Sequence, residues 1–137
     1  MTYLLDTNVL SETRKRKPAA GVADWIATTP PDRLHVSVLT LGEIEQGIAR
    51  IRGRGDLQQA AGLVHWLQDV QTGFEGRILP VTLPVAAAWG RQQYSRPLPV
   101  IDALIAATAR VHGMIVVTRN VKDFDLAGVE VLNPCTG

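Results

Sequence analysis

Short apolar runs alternate with longer stretches of helical period along the chain. Thr2 to Leu5, Leu34 to Ser37, Ile78 to Val81, Met114 to Thr118 and Val129 to Leu132 are brief, apolar and bounded by polar or turn-forming residues. That pattern predicts buried strands. Val38 to Arg52 carries apolar residues at Leu41, Ile44, Ile48 and Ile51, and Asp56 to Thr72 repeats the pattern from Leu57 to Leu67. Both predict amphipathic helices. Further helices are expected from Thr7 to about Arg14, over Val22 to Thr28, over Leu83 to Tyr94, and over Val100 to His112, where Gly113 provides the stop. Arg119 to Phe124 reads as a polar turn.

Alternation of this kind predicts an α/β sandwich with a mainly parallel central sheet. The 137 residues suit one domain, 1–137. Hydrophobic residues make up 46% and charged residues 20%, the balance of a globular chain. The net charge of +1 excludes a general polycation, so any nucleic-acid binding must use local basic groups. Arg14 to Lys17 is one such group, and Arg50, Arg52 and Arg54 form another; each is also a place where a helix end favours cations. No apolar stretch approaches the roughly 18 residues of a membrane span, and no signal peptide is visible, so a cytoplasmic protein is expected. The single cysteine, Cys135, is expected to be a free thiol on a mobile tail.

In a parallel sheet, ligand sites form beyond the carboxyl ends of the strands, and four acids fall there. Asp6 ends the first strand. Asp102 opens a helix, on a face continued by the small residues Ala106 and Ala109. Asp123 follows the fourth strand, with Thr118 and Asn120 before it and Asp125 as a competitor. On the helix after the second strand, Glu43 and Glu45 flank the apolar stripe at about 100° to either side of Ile44, and geometry does not choose between them. Asp6 and Asp102 are also natural helix-terminus acids, and Asn8 is either a support for the site or a further cap. Gathered carboxylates repel, and an all-oxygen set suits a hard cation such as Mg²⁺ or Mn²⁺. The chemistry implied is metal-assisted attack on phosphate esters. His35, His65 and His112 share no spacing and read as structural. Trp25, Trp66 and Trp89 lie in helical patterns that favour packing over base stacking.

The run Tyr3-Leu4-Leu5-Asp6-Thr7-Asn8-Val9-Leu10-Ser11-Glu12 resembles the opening motif of PIN-domain ribonucleases, and more narrowly the VapC and FitB-like toxins of toxin–antitoxin pairs. Leu41 to Ile48, Val100 to Ala109 and Val117 to Phe124 are similar to the family's later acidic motifs, in order, so the resemblance spans residues 2 to about 133. It implies a PIN-like three-layer α/β/α sandwich and selects Glu43 over Glu45. It further implies Mg²⁺- or Mn²⁺-dependent hydrolysis of RNA. Asp6, Glu43, Asp102 and Asp123 would be the catalytic metal ligands, supported by Asn8, Thr118 and Asn120. The implied partners are an RNA substrate, a VapB-like antitoxin and a second copy in a homodimer, with higher toxin–antitoxin assembly. Two rivals stand beside this reading. A haloacid-dehalogenase-type phosphatase would use Asp6 as nucleophile but wants a second acid where Asn8 stands. A PIN-like domain that binds RNA or a partner without cutting is the non-enzymatic alternative.

Overall fold

Period-two alternation in the two central strands sets the layers. The computed structural model describes residues 1–135. In β1 (Tyr3–Leu5), Leu5 joins one apolar cluster and Leu4 the other. In β4 (Ile115–Val117), Val117 and Val116 divide in the same way. Side chains of successive strand residues point to opposite faces, so each strand feeds two cores. With β2 (Leu34–Ser37), β3 (Ile78–Leu79) and β5 (Val131–Leu132) they form one sheet in the order β3-β2-β1-β4-β5. All four pairings are parallel, and the register sets Leu5 opposite Val117. The expectation of a mainly parallel sheet therefore becomes an all-parallel one.

The first cluster is covered by α1 (Thr7–Glu12), α2 (Ala20–Thr28), α3 (Val38–Gly53) and α4 (Leu57–Gly73). The opposite face is covered by α6 (Val100–His112) and α7 (Val121–Leu126), with α5 (Leu83–Arg91) against α6. Three layers result. Ala103, Ala106, Ala107 and Ala109 are all buried, so α6 can approach the sheet closely. Gly113 ends α6 at φ 66°, a left-handed position that glycine takes without steric cost. Among the described residues, no helix is long and apolar enough to cross a membrane.

Several boundaries differ from the sequence reading. The expected helix to Arg14 stops at Glu12, and the one expected to Tyr94 stops at Arg91, ahead of Pro97 and Pro99. The expected polar turn over Arg119–Phe124 is largely α7. Burial of Phe124, 1% exposed and worth about 1.5–3 kcal/mol, holds that short polar segment helical. The C-terminal stretch is no mobile tail up to Cys135. A Cβ on Gly21 would meet the Pro134 carbonyl oxygen at 2.1 Å, so glycine is what lets Pro134 and Cys135 lie against α2. Cys135 packs beside the first cluster, and Arg119 donates from Nε to its sulfur at 3.1 Å.

Candidate active site

The strand order reverses around β1: β2 and β3 lie to one side, β4 and β5 to the other. A crevice opens at such a point, beyond the carboxyl ends of β1 and β4. Asp6 stands there. Its backbone N–H still pairs with the Val117 carbonyl at 2.9 Å, extending the β1–β4 ladder into the site. Its carboxylate caps α1 by accepting from the Thr7 N–H at 2.8 Å. The other oxygen accepts from the Thr118 hydroxyl at 2.8 Å and from the Asn8 amide at 3.0 Å. Helix cap and site acid are thus one residue. Asp6 is only 4% exposed, and no cation pairs with it among the described residues. Burial pushes its pKa up, the Thr118 and Thr7 bonds oppose that, and the Glu43 charge adds to the rise.

Glu43 arrives from α3, where it leaves the apolar stripe formed by Ile44 and Ile48. The Thr7 hydroxyl donates to its Oε1 at 2.5 Å and lies 3.1 Å from the Thr40 hydroxyl. Glu45, on the opposite flank, is exposed, so the structure settles which glutamate faces the crevice. Asp102 occupies the first turn of α6. Its pKa rises from 3.8 to about 6, through burial first and then the charges of Asp6, Glu43 and Asp123. A helix N-terminus favours a carboxylate, yet three neighbouring carboxylates and burial outweigh it here. Asp123 sits in the first turn of α7. The Asn120 amide donates to Asp123 at 2.8 Å and to Asp102 at 3.4 Å, tying the two acids together. The Arg96 guanidinium also bonds Asp123, and that bond, with the one from Asn120, holds the Asp123 carboxyl below its usual range. Asp125 is exposed and stands apart from this network.

All four acids and the three supporting residues meet at one edge. Thr7 and Arg96 belong to it and are not among the residues expected from the sequence. Thr7 follows Asp6 directly and could have been found as the first residue of a capped helix. Arg96 lies in the proline-flanked connection between α5 and α6, where the sequence gives no signal. His65 and His112 are exposed, and the His35 Nδ1 lies 3.3 Å from the Arg33 carbonyl oxygen, outside the acid network. Trp25 is committed to the core, edge-on to Tyr3 at 5.0 Å.

The donor set is entirely oxygen and strongly acidic, and the charges of its members add to the raised pKa values of Asp6 and Asp102. That is the condition of a site short of positive charge, and it fits a hard divalent cation. Among the described residues no three acids, histidines or cysteines converge as a ready-made cage. A cation retaining several of its waters suits such a spacing better than a fully dehydrated one.

Comparison with known proteins agrees with this geometry. A family model described as PIN domain matches residues 3–129. The chain is 32% identical to Toxin FitB of Neisseria gonorrhoeae over 138 residues, covering 96% of each. It is 30% identical to VapC ribonuclease Y4jK of Sinorhizobium fredii over 137 residues, again covering 96% of each. The solved structure of FitAB bound to a DNA fragment is similar with a TM-score of 0.85 and 33% identity, over 98% of this chain and 96% of that one.

Proposed function

The chain belongs to the PIN-domain family, and on that premise we propose that it is a metal-dependent endoribonuclease, the toxin of a toxin–antitoxin pair. The observation that carries the activity is the carboxylate edge itself: Asp6 buried without a cation, and Asp102 held near pKa 6 by its acidic neighbours. The names of the relatives and the FitAB structure support the ribonuclease and the antitoxin partner.

Asp6, Glu43 and Asp102 would hold Mg²⁺ or Mn²⁺, with Asp123 completing the set. The bound ion supplies an acidified water and positive charge against the phosphate. The chain's own contribution is orientation. Thr118 and Asn8 fix one oxygen of Asp6, and Thr7 N–H fixes the other, so the carboxylate cannot rotate freely. Thr7 aims Glu43, and Asn120 spaces Asp102 from Asp123. Such outer partners commonly matter by about 10–100-fold in metal affinity or activity.

The test is cleavage of a pool of structured RNAs by antitoxin-free protein in Mg²⁺, in Mn²⁺ and in EDTA, beside Asp6→Asn and Asp102→Asn. Metal-dependent cuts lost in both variants support the proposal. Binding without cuts in either metal would return the chain to the non-cutting PIN-like reading. Cuts surviving both substitutions would come from a contaminant and leave the proposal without support.

A further inference from the structure

A groove runs from the acid edge along the outside of the molecule, between α1, α3 and α4. The α1 segment with the residues just after it and a stripe of α3 wall it. On the α1 side are Thr7, Ser11 and Arg14; on the α3 side are Glu43, Gly47 and Arg50. Glu43, Gly47 and Arg50 follow the i, i+4, i+7 spacing that keeps residues on one helix face, and Arg14 comes two residues after the end of α1. Arg54, at i+11, continues the α3 stripe beyond the end of the first hollow into a second one that shares Gly47 and Arg50. From Glu43 to Arg54 the stripe climbs about 16 Å along the helix axis, at roughly 1.5 Å per residue. The first hollow has a volume of about 290 Å³. Gly47 keeps it open: an added Cβ there would meet only the Arg50 guanidinium, at 3.9 Å, so nothing else fills that space.

The chemistry changes along this path. Thr7 and Glu43 belong to the acid edge, whereas Arg14, Arg50 and Arg54 are exposed and enter no ion pair among the described residues. Their neighbours in sequence are disposed differently. Lys15 is paired with Glu12, and Arg52 lies on α3 but does not line the groove. Trp66 of α4 borders both the first hollow and an adjoining one that also contains Arg14. Trp66 is half-buried and also packs against the first cluster; an aromatic ring bordering a groove beside a row of unpaired guanidinium groups is the equipment that binds an unpaired nucleic-acid strand, phosphates on the arginines and a base on the ring.

We propose that the groove from Glu43 to Arg54 holds single-stranded RNA next to the bond that is cut, with Arg14, Arg50 and Arg54 on its phosphates and Trp66 against a base. This rests on the ribonuclease reading for the identity of the strand, and binding can be measured apart from cutting. Duplex RNA fits less well, because stacking on a tryptophan needs an unpaired base. The charge sequence also fits: a polyanion is met by cationic side chains along the groove and by acids that take a metal at its end.

The experiment is fluorescence anisotropy with a labelled, unstructured RNA pool and antitoxin-free protein in EDTA, repeated across a salt series. Arg50→Ala/Arg54→Ala should bind at least about tenfold more weakly, and its salt dependence should flatten by about 1.4, at roughly 0.7 per lost phosphate contact on a single strand. Arg50→Ala alone should show part of this loss, whereas Arg52→Ala, which removes the same single charge one face away, should bind like the parent. Trp66→Phe should lose most of the tryptophan quenching that RNA causes in the parent while remaining folded by circular dichroism. Equal weakening by Arg52→Ala and Arg50→Ala would reduce the effect to overall charge and overturn the proposal. So would unchanged RNA binding with an altered oligomeric mass, which would assign the groove to a protein partner. Cleavage that survives in a double variant with normal RNA affinity would overturn the groove and leave the nuclease intact. Groove-dependent binding without metal-dependent cleavage would do the reverse.

Discussion

Two buried carboxylates stand at the two ends of α1, and they are solved in opposite ways. Asp6 and Glu12 are each 4% exposed. Glu12 pairs with Lys15 at 2.7 Å and with Arg119 at 3.4 Å, and accepts from the Ala19 N–H at 2.9 Å. Its carboxyl is held below the usual range, by the Lys15 bond first and the Ala19 bond next. Asp6 has three neutral donors and its pKa is pushed up by burial. A buried charge needs a partner. At Glu12 the chain supplies two, and the result is a clasp joining α1, the end of β4 and, through Arg119 and Cys135, the C-terminal stretch. At Asp6 it supplies none, and the proposed metal ion would bring the missing charge. The same residue class at the same burial is a structural clasp in one place and, in the proposed function, a metal ligand in the other, and the difference lies in the partners.

Activity should break this comparison most sharply. Asp6→Asn and Asp102→Asn are expected to lower RNA cleavage by about 10²–10³-fold or more, the scale of losing one essential electrostatic group. Glu12→Gln should leave the rate per folded molecule within a few-fold while lowering the Tm. Single-turnover cleavage beside calorimetry on the same samples separates the two. A Glu12→Gln protein that is fully folded yet inactive would show that the clasp reaches the chemistry.

Stability should move in opposite directions. For metal-free protein, Asp102→Asn removes a carboxylate that its surroundings resist. A shift from 3.8 to about 6, discounted for partial exposure, corresponds to about 1–2 kcal/mol gained at neutral pH. The pH dependence follows. Because the folded protein holds the Asp102 proton more tightly than the unfolded chain, metal-free protein loses stability as pH rises from about 4 to about 6. Glu12 acts the other way: its contribution is present above the unfolded value near 4.5 and disappears as pH falls through the lowered folded value. Urea melts from pH 4 to 7 should therefore show a falling component, to which Asp6 also contributes, that Asp102→Asn reduces. A stability curve identical in parent and variant would mean that Asp102 is not under the strain described.

The same contrast explains what the sequence disclosed. The strand-end position of Asp6 and the small-residue face shared by Asp102, Ala106 and Ala109 are local patterns, so the acid edge was legible. So was the layering, because it follows from period-two and helical alternation. The resolution of Glu43 over Glu45 was not legible from spacing, since both flank Ile44 equally; the Thr7 hydroxyl and the line of β2 into α3 decide it in space. Glu12 gave no sign of being buried, because its partners Ala19 and Arg119 come from the lead into α2 and from just beyond the carboxyl end of β4. Six residues of polar sequence after β4 could not announce α7, whose helix is held by the single buried ring of Phe124.

Arg96 offers the smallest effect and tests the comparison at its margin. Among the described residues it is the one cation bonded to any of the four site acids, and it reaches the outermost of them, Asp123, from an exposed position. Exposed pairs of this kind are weak. Arg96→Ala should therefore leave the Tm nearly unchanged and tighten the half-saturating Mg²⁺ concentration by about 2–3-fold, as Asp123 is released to the site. Metal titration of the cleavage rate reads this directly. If turnover instead falls steeply at saturating Mg²⁺ while the half-saturation point stays put, Arg96 is not a counter-ion to Asp123 during reaction but a group that leaves it for the phosphate. The one positive charge at the edge would then be a mobile one, and the contrast with the Glu12 clasp would lie in that mobility.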